Sequence, residues 1–119
     1  MATLIKVTPQ PIEPNTNYQV YTFEGELDKS NLNVVSEAVK DFFVNNIENA
    51  IFDLTNLKFI NSEGIGYLVS LHYKISKANK KVYIFGVQPN VQDIFNLIGI
   101  PTIIPCFSTL DEVIAEISK

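Results

Sequence analysis

Apolar residues recur along this chain with two periods, and the changes between them mark its elements. Tyr18 to Phe23 alternates, with Tyr18, Val20 and Thr22 on one face and Gln19, Tyr21 and Phe23 on the other. That is the period of a strand, and its aromatic and β-branched residues suit a pleated surface. Thr3 to Thr8, with Leu4, Ile5 and Val7, is a shorter strand candidate. Pro9, Pro11, Pro14 and the run Asn15-Thr16-Asn17 break the chain between the two, which are expected to pair antiparallel. After Gly25-Glu26-Leu27-Asp28 the period becomes helical, from about Ser30 to Asn45. Leu32, Val35, Val39 and Phe42 form its apolar stripe, widened by Ala38 and Phe43. Asp28 or Ser30 can cap this helix, and Asn45-Asn46 is a reasonable stop.

Strand and helix alternate from there on. Ala50 to Leu54 reads as a short buried strand, and a helix follows Ser62 with Ile65, Leu68, Val69, Leu71, His72 and Ile75 around much of its circumference. Val82 to Phe85 is the next buried strand, closed by Gly86. Pro89 and Gly99 frame a helix whose Val91, Ile94, Phe95 and Ile98 stand at i, i+3, i+4 and i+7. Thr102 to Ile104 reads as a last strand between Pro101 and Pro105. Ser108 is expected to cap a final helix, with Asp111 at the capping-box position and Leu110, Val113, Ile114 and Ile117 as its core face. The alternation implies right-handed crossovers and a largely parallel sheet. The fold class is therefore α/β, a single domain over residues 1–119 with a mixed sheet of about five strands and about four helices.

One stretch stands apart from this periodicity: Phe59-Ile60-Asn61-Ser62-Glu63-Gly64-Ile65-Gly66, a turn from strand into helix. Ser62 is placed to cap the helix, since its hydroxyl can accept from the free N–H groups of the first turn. Glu63 falls in that turn, where the helix dipole favours negative charge. Gly64 and Gly66 each cost roughly 1 kcal/mol against alanine inside a helix. Two of them at one helix start point to a backbone that another surface approaches closely, either the sheet beneath or a partner.

Composition narrows the chemistry. With 46% hydrophobic and 18% charged residues the chain is a globular one. A net charge of −4 argues against a nucleic-acid partner, which needs clustered cations. The single cysteine, Cys106, cannot form an internal disulfide, so a reducing cytoplasm is the expected setting. No run of residues suits membrane insertion, and Met1 to Lys6 is too short in apolar core for a signal peptide. His72 lies among apolar helix positions, Asp28 and Asp53 lie near strand ends without a pocket between them, and no H-x-x-x-H, C-x-x-C or phosphate-loop pattern is present. No enzyme, metal or cofactor is expected. Lys77, Lys80 and Lys81 gather at a helix end, where they compensate its dipole.

Four segments together resemble STAS domains, the small domains of bacterial anti-sigma factor antagonists that also occur in stressosome proteins and on sulfate transporters. Phe59 to Gly66 resembles the family's F-[MI]-D-S-[ST]-G-[LI]-G, and Phe23-Glu24-Gly25-Glu26-Leu27-Asp28 its L-x-G-E-L-D. Asn49 to Thr55 resembles the x-x-[IV]-V-L-D-L-S strand, and Val87 to Gly99 the x-x-P-x-V-x-x-[LI]-[FL]-x-x-x-G helix. They occur in family order and span roughly residues 18–118. The resemblance implies a STAS-like fold and no catalysis. It implies a partner that is both anti-sigma factor and serine kinase, phosphorylation at Ser62, and a docking face of Glu26, Asp28, Asn61, Ser62, Glu63, Gly64 and Gly66, on a monomer or weak dimer. Two departures bear on this: Asn61 replaces the family's Asp, and Glu63 its second Ser or Thr. They favour an alternative, a constitutive STAS interaction subunit of a transporter or signalling scaffold without phosphorylation. A nucleotide- or lipid-sensing role would call for a basic, glycine-lined pocket that the sequence does not show.

Overall fold

The computed structural model describes residues 4–119. Its five strands are β1 (Ile5–Pro9), β2 (Tyr18–Leu27), β3 (Asn49–Ile60), β4 (Lys81–Phe85) and β5 (Cys106–Phe107), and its four α-helices are α1 (Leu32–Val39), α2 (Ser62–Lys77), α3 (Pro89–Ile98) and α4 (Leu110–Ile117). They form one sheet in the order β1-β2-β3-β4-β5. β1 runs antiparallel to β2 and every other pairing is parallel. The mixed α/β architecture is therefore the expected one. Thr3 of the first expected strand lies outside the described residues.

The sheet is covered unequally. Ala50, Phe52 and Leu54 of β3, with Tyr21 and Phe23 of β2, point into the main core, which α1, α2 and α3 close with Val35, Val39, Leu68, Ile75, Val91 and Phe95. Ile51 and Tyr83 point the other way, against Val113 of α4. Alternate residues thus serve two cores, as strands covered on both faces require.

Several boundaries differ from expectation. β3 does not stop at Leu54 but runs twelve residues to Ile60. Only its first part, Asn49–Asp53, is paired with β4 as well as β2; beyond it only β2 pairs, through two register shifts. With one neighbour instead of two, the extension carries exposed Thr55, Asn56, Lys58 and Phe59 and loses the apolar run that marks a buried strand. β2 likewise continues to Leu27. At Gly25 φ is +113°, and a Cβ would lie 2.4 Å from the Leu4 carbonyl oxygen, so only glycine lets β1 pair there.

Near the C-terminus, residues 102–104 are not a strand. Gly99 takes the left-handed conformation, ends α3 and starts a 3-10 turn at Ile100–Thr102, and the last strand forms at Cys106–Phe107 instead. The cap of α4 also shifts by one residue: Thr109, not Ser108, accepts from the amide of Glu112, and Glu112, not Asp111, answers in the capping box. The first helical region is shorter in α form than expected, with 3-10 turns at Lys29–Asn31 and Lys40–Phe43 flanking α1.

Candidate functional site

The end of β2 and the end of β3 lie side by side, with Glu26 opposite Phe59 and Leu27 opposite Ile60. The Asn61 amide donates to the Leu27 carbonyl at 3.2 Å, which fastens the turn into α2 against the turn that follows β2. Two segments more than thirty residues apart are thereby joined at one corner, and Glu26, Asp28, Asn61, Ser62 and Glu63 all belong to it.

The cap of α2 is Asn61, not Ser62. Its Oδ1 accepts from the Gly64 amide at 2.9 Å while its backbone is extended. Ser62 is instead the first helical residue and is exposed. Its hydroxyl, released from capping, faces the Glu63 carboxylate, with Ser62 Oγ 3.4 Å from Glu63 Oε1. The same oxygen accepts from Asn61 Nδ2 at 2.9 Å. An amide can therefore do what an aspartate at position 61 could not: cap the helix with its oxygen and hold a neighbouring carboxylate with its nitrogen.

The two glycines separate in role. A Cβ on Gly64 would lie 2.8 Å from Ile60 Cγ1 and 2.9 Å from the Leu27 carbonyl oxygen, so this buried glycine seats α2 on the strand ends. Gly64 is thus buried under the turn and not exposed at its surface. A Cβ on Gly66 would meet nothing within 4 Å. Gly66 is exposed on the helix and has no packing reason among the described residues.

Asp28 caps the 3-10 turn before α1: its Oδ1 accepts from the Ser30 amide at 2.8 Å and from the Ser30 hydroxyl at 2.6 Å. Buried Asn31 closes the turn by donating to the Glu26 carbonyl. Phe59, which sequence periodicity did not single out, is 44% exposed beside this corner. The register shift in β3 turns it outward, and such a shift leaves no sequence signal.

The other titratable residues are spread out. Asp53, whose carboxylate accepts from the Thr55 amide, lies seven residues before Ile60 on β3, on the order of 20 Å from the Asp28 turn at strand rise. They do not form a pair. His72 is half-buried on α2, and desolvation lowers its pKa. Burial pushes the Cys106 thiol up to about 11, opposite to what a reactive cysteine needs. Lys80 turns inward onto the end of the first helical region, away from exposed Lys77 and Lys81. Among the described residues no group of three or more His, Cys, Asp or Glu is placed to hold a metal, and no helix is long and apolar enough to cross a membrane.

An α/β domain whose polar, aromatic and glycine surface gathers at one helix start is of the binding-module class. The chain belongs to the STAS domain family, whose profile matches residues 10–113. STAS domains are regulatory binding modules. No curated protein sequence matches the chain. Among solved structures it is similar to an anti-sigma factor antagonist from Mycobacterium paratuberculosis, at 18% identity over 98% of this chain and 96% of that one, with a TM-score of 0.83. It is similar to the anti-sigma factor antagonist SpoIIAA in its unphosphorylated form, at 17% identity over 94% and 96% of the two chains, TM-score 0.74. It also matches a part of the murine Solute Carrier 26 family member A9 anion transporter, at 11% identity over 92% of this chain and 21% of the transporter, TM-score 0.71. At such identities the likeness is one of fold.

Proposed function

We propose that this chain is an anti-sigma factor antagonist-like module that docks an anti-sigma factor with serine-kinase activity, and that phosphorylation of Ser62 switches the contact. The observation that supports the reading is the exposed Ser62 hydroxyl, which does not cap the helix: Asn61 does the capping, and Ser62 stands in the first turn of α2. The docking surface is Glu26, Asp28, Asn61, Ser62, Glu63 and Gly66, with Gly64 seating the helix beneath them. A phosphoserine adds about −1.5 to −2 charges. A helix N-terminus tolerates that charge, so the change falls on the partner and not on the fold. Repulsion and desolvation of a few kcal/mol at such a contact lower affinity by orders of magnitude. The module would act in the cytoplasm, where such kinases work.

A second reading is a constitutive interaction subunit without phosphorylation. The Glu63 carboxylate favours it, since it already sits against the Ser62 hydroxyl and would repel a phosphate there. Phosphopeptide mapping of the protein isolated from its host, across growth and stress conditions, decides between the two. Phosphate on Ser62 that varies with condition is the expected result. A fully covered, always unmodified peptide overturns the switch and leaves the constitutive module.

A further inference from the structure

α1 and α2 leave between them a groove of about 430 Å³, lined at its base by Val39, Phe43, Tyr67 and Leu71 and at its rim by Ser70 and Lys74. Val39 and Leu71 are buried, while Phe43 and Tyr67 belong only partly to the core and present their remaining surface here. Ser36 of α1 lines the groove as well. The rim carries positive charge. Lys40 is already paired with Glu37, but the Lys74 ammonium sits 5.1 Å from the Phe43 ring centre and forms no ion pair among the described residues. Exposed Lys77 follows one turn later.

We infer that this groove is a second docking site, taking an acidic amphipathic helix of a protein partner. No strand edge borders a cleft between two helices, so an occupant has to satisfy its own backbone hydrogen bonds, which a helix does. Its apolar stripe lies over Phe43, Tyr67 and Leu71, and its acidic flank meets Lys74 and Lys77. Ser70 stands one turn beyond open Gly66 and two beyond Ser62, so one partner can span both sites along α2. The inference takes from the proposed function only that α2 is a docking helix, and it stands if Ser62 is never modified.

The test uses a labelled amphipathic peptide of about 18 residues, long enough to be helical in water. It carries an apolar stripe flanked by glutamates, and a matched peptide carries lysines instead. Fluorescence anisotropy is expected to show saturable binding of the acidic peptide only. Lys74→Glu should weaken that binding about tenfold or more and transfer affinity to the basic peptide. Ser70→Trp should fill the groove and abolish both, and backbone amide shifts should map to Ser36, Tyr67 and Ser70. Ser62→Glu should leave the peptide affinity unchanged, which separates this site from the phospho-switch. Equal binding of the two peptides, no binding of either, or binding indifferent to Lys74→Glu and Ser70→Trp would overturn the groove as a docking site.

Discussion

At the scale of single residues the sharpest feature is the division of labour between Asn61 and Ser62. Removing the cap oxygen in Asn61→Ala should cost about 0.5–2 kcal/mol in urea unfolding, because the Gly64 amide loses its acceptor. Ser62→Ala should stay within about 0.5 kcal/mol of the parent, as an exposed substitution outside the cap does. Comparable losses in both would return the capping role to Ser62. The glycines give a second contrast. Gly64→Ala should destabilise by about 1–3 kcal/mol, since its Cβ meets Ile60 and the Leu27 carbonyl. Gly66→Ala, on an open and exposed helical site, should stabilise by up to about 1 kcal/mol. If Gly66 is kept for close approach of a partner, the same variant should bind that partner more weakly while melting higher. The sequence marked these residues as the place to look, because glycines and a hydroxyl at a helix start break the apolar rhythm. Which of two adjacent polar residues caps could not be read from it, since both types cap well and their backbone conformations decide.

At the scale of elements, sequence was most legible where the apolar pattern is regular. The doubly paired half of β3 carries a continuous apolar run and the helix framed by Pro89 and Gly99 a one-sided apolar stripe, and both are found at the expected positions. The singly paired end of β3, which presents Phe59 and leads into Asn61, has no such pattern and was missed. The joint between the end of the first helical region and the turn after α2 was also hidden, because its key residue reads as a surface lysine. Lys80 Nζ donates to the carbonyls of Phe42 and Asn45 and lies 4.5 Å from the Phe42 ring centre. It thereby closes the 3-10 end of the first helical region with a side chain from the turn between α2 and β4. Desolvation lowers its pKa, as this half-buried position requires. Lys80→Met keeps the apolar stem and removes the donors, and it should lower stability by about 1–3 kcal/mol. Lys77→Met, at the exposed last residue of α2, should be near neutral, and amide exchange should quicken from residues 40 to 45 only in the Lys80 variant.

At the scale of the whole molecule the mixed sheet and its helices follow from strand–helix alternation plus one hairpin, while the strand order and the effect of burial on ionisation come only from the structure. His72 lines a cleft of about 390 Å³ with Ser76, Lys81, Tyr83 and Glu116, where α2, β4 and α4 meet. Its Nδ1 is buried without a hydrogen-bond partner among the described residues, and desolvation holds its pKa below 6.5. The unfolded chain restores the ordinary value. Above about pH 6.5 the imidazole is neutral in both states and costs nothing further. As pH falls below that, the unfolded state takes up the proton first, so stability declines with a slope of at most about 1.4 kcal/mol per pH unit. The decline from this group ends once pH passes the lowered folded-state pKa, where both states are charged. His72→Phe preserves the ring and removes both the titration and the unpartnered nitrogen. It should therefore match or exceed the parent at pH 7.5 and hold its advantage increasingly toward pH 5.5. Urea unfolding of both proteins at several pH values reads this directly, and the difference between them cancels every other titrating group. A constant difference across the range would place His72 in water in the folded protein, contrary to its buried Nδ1.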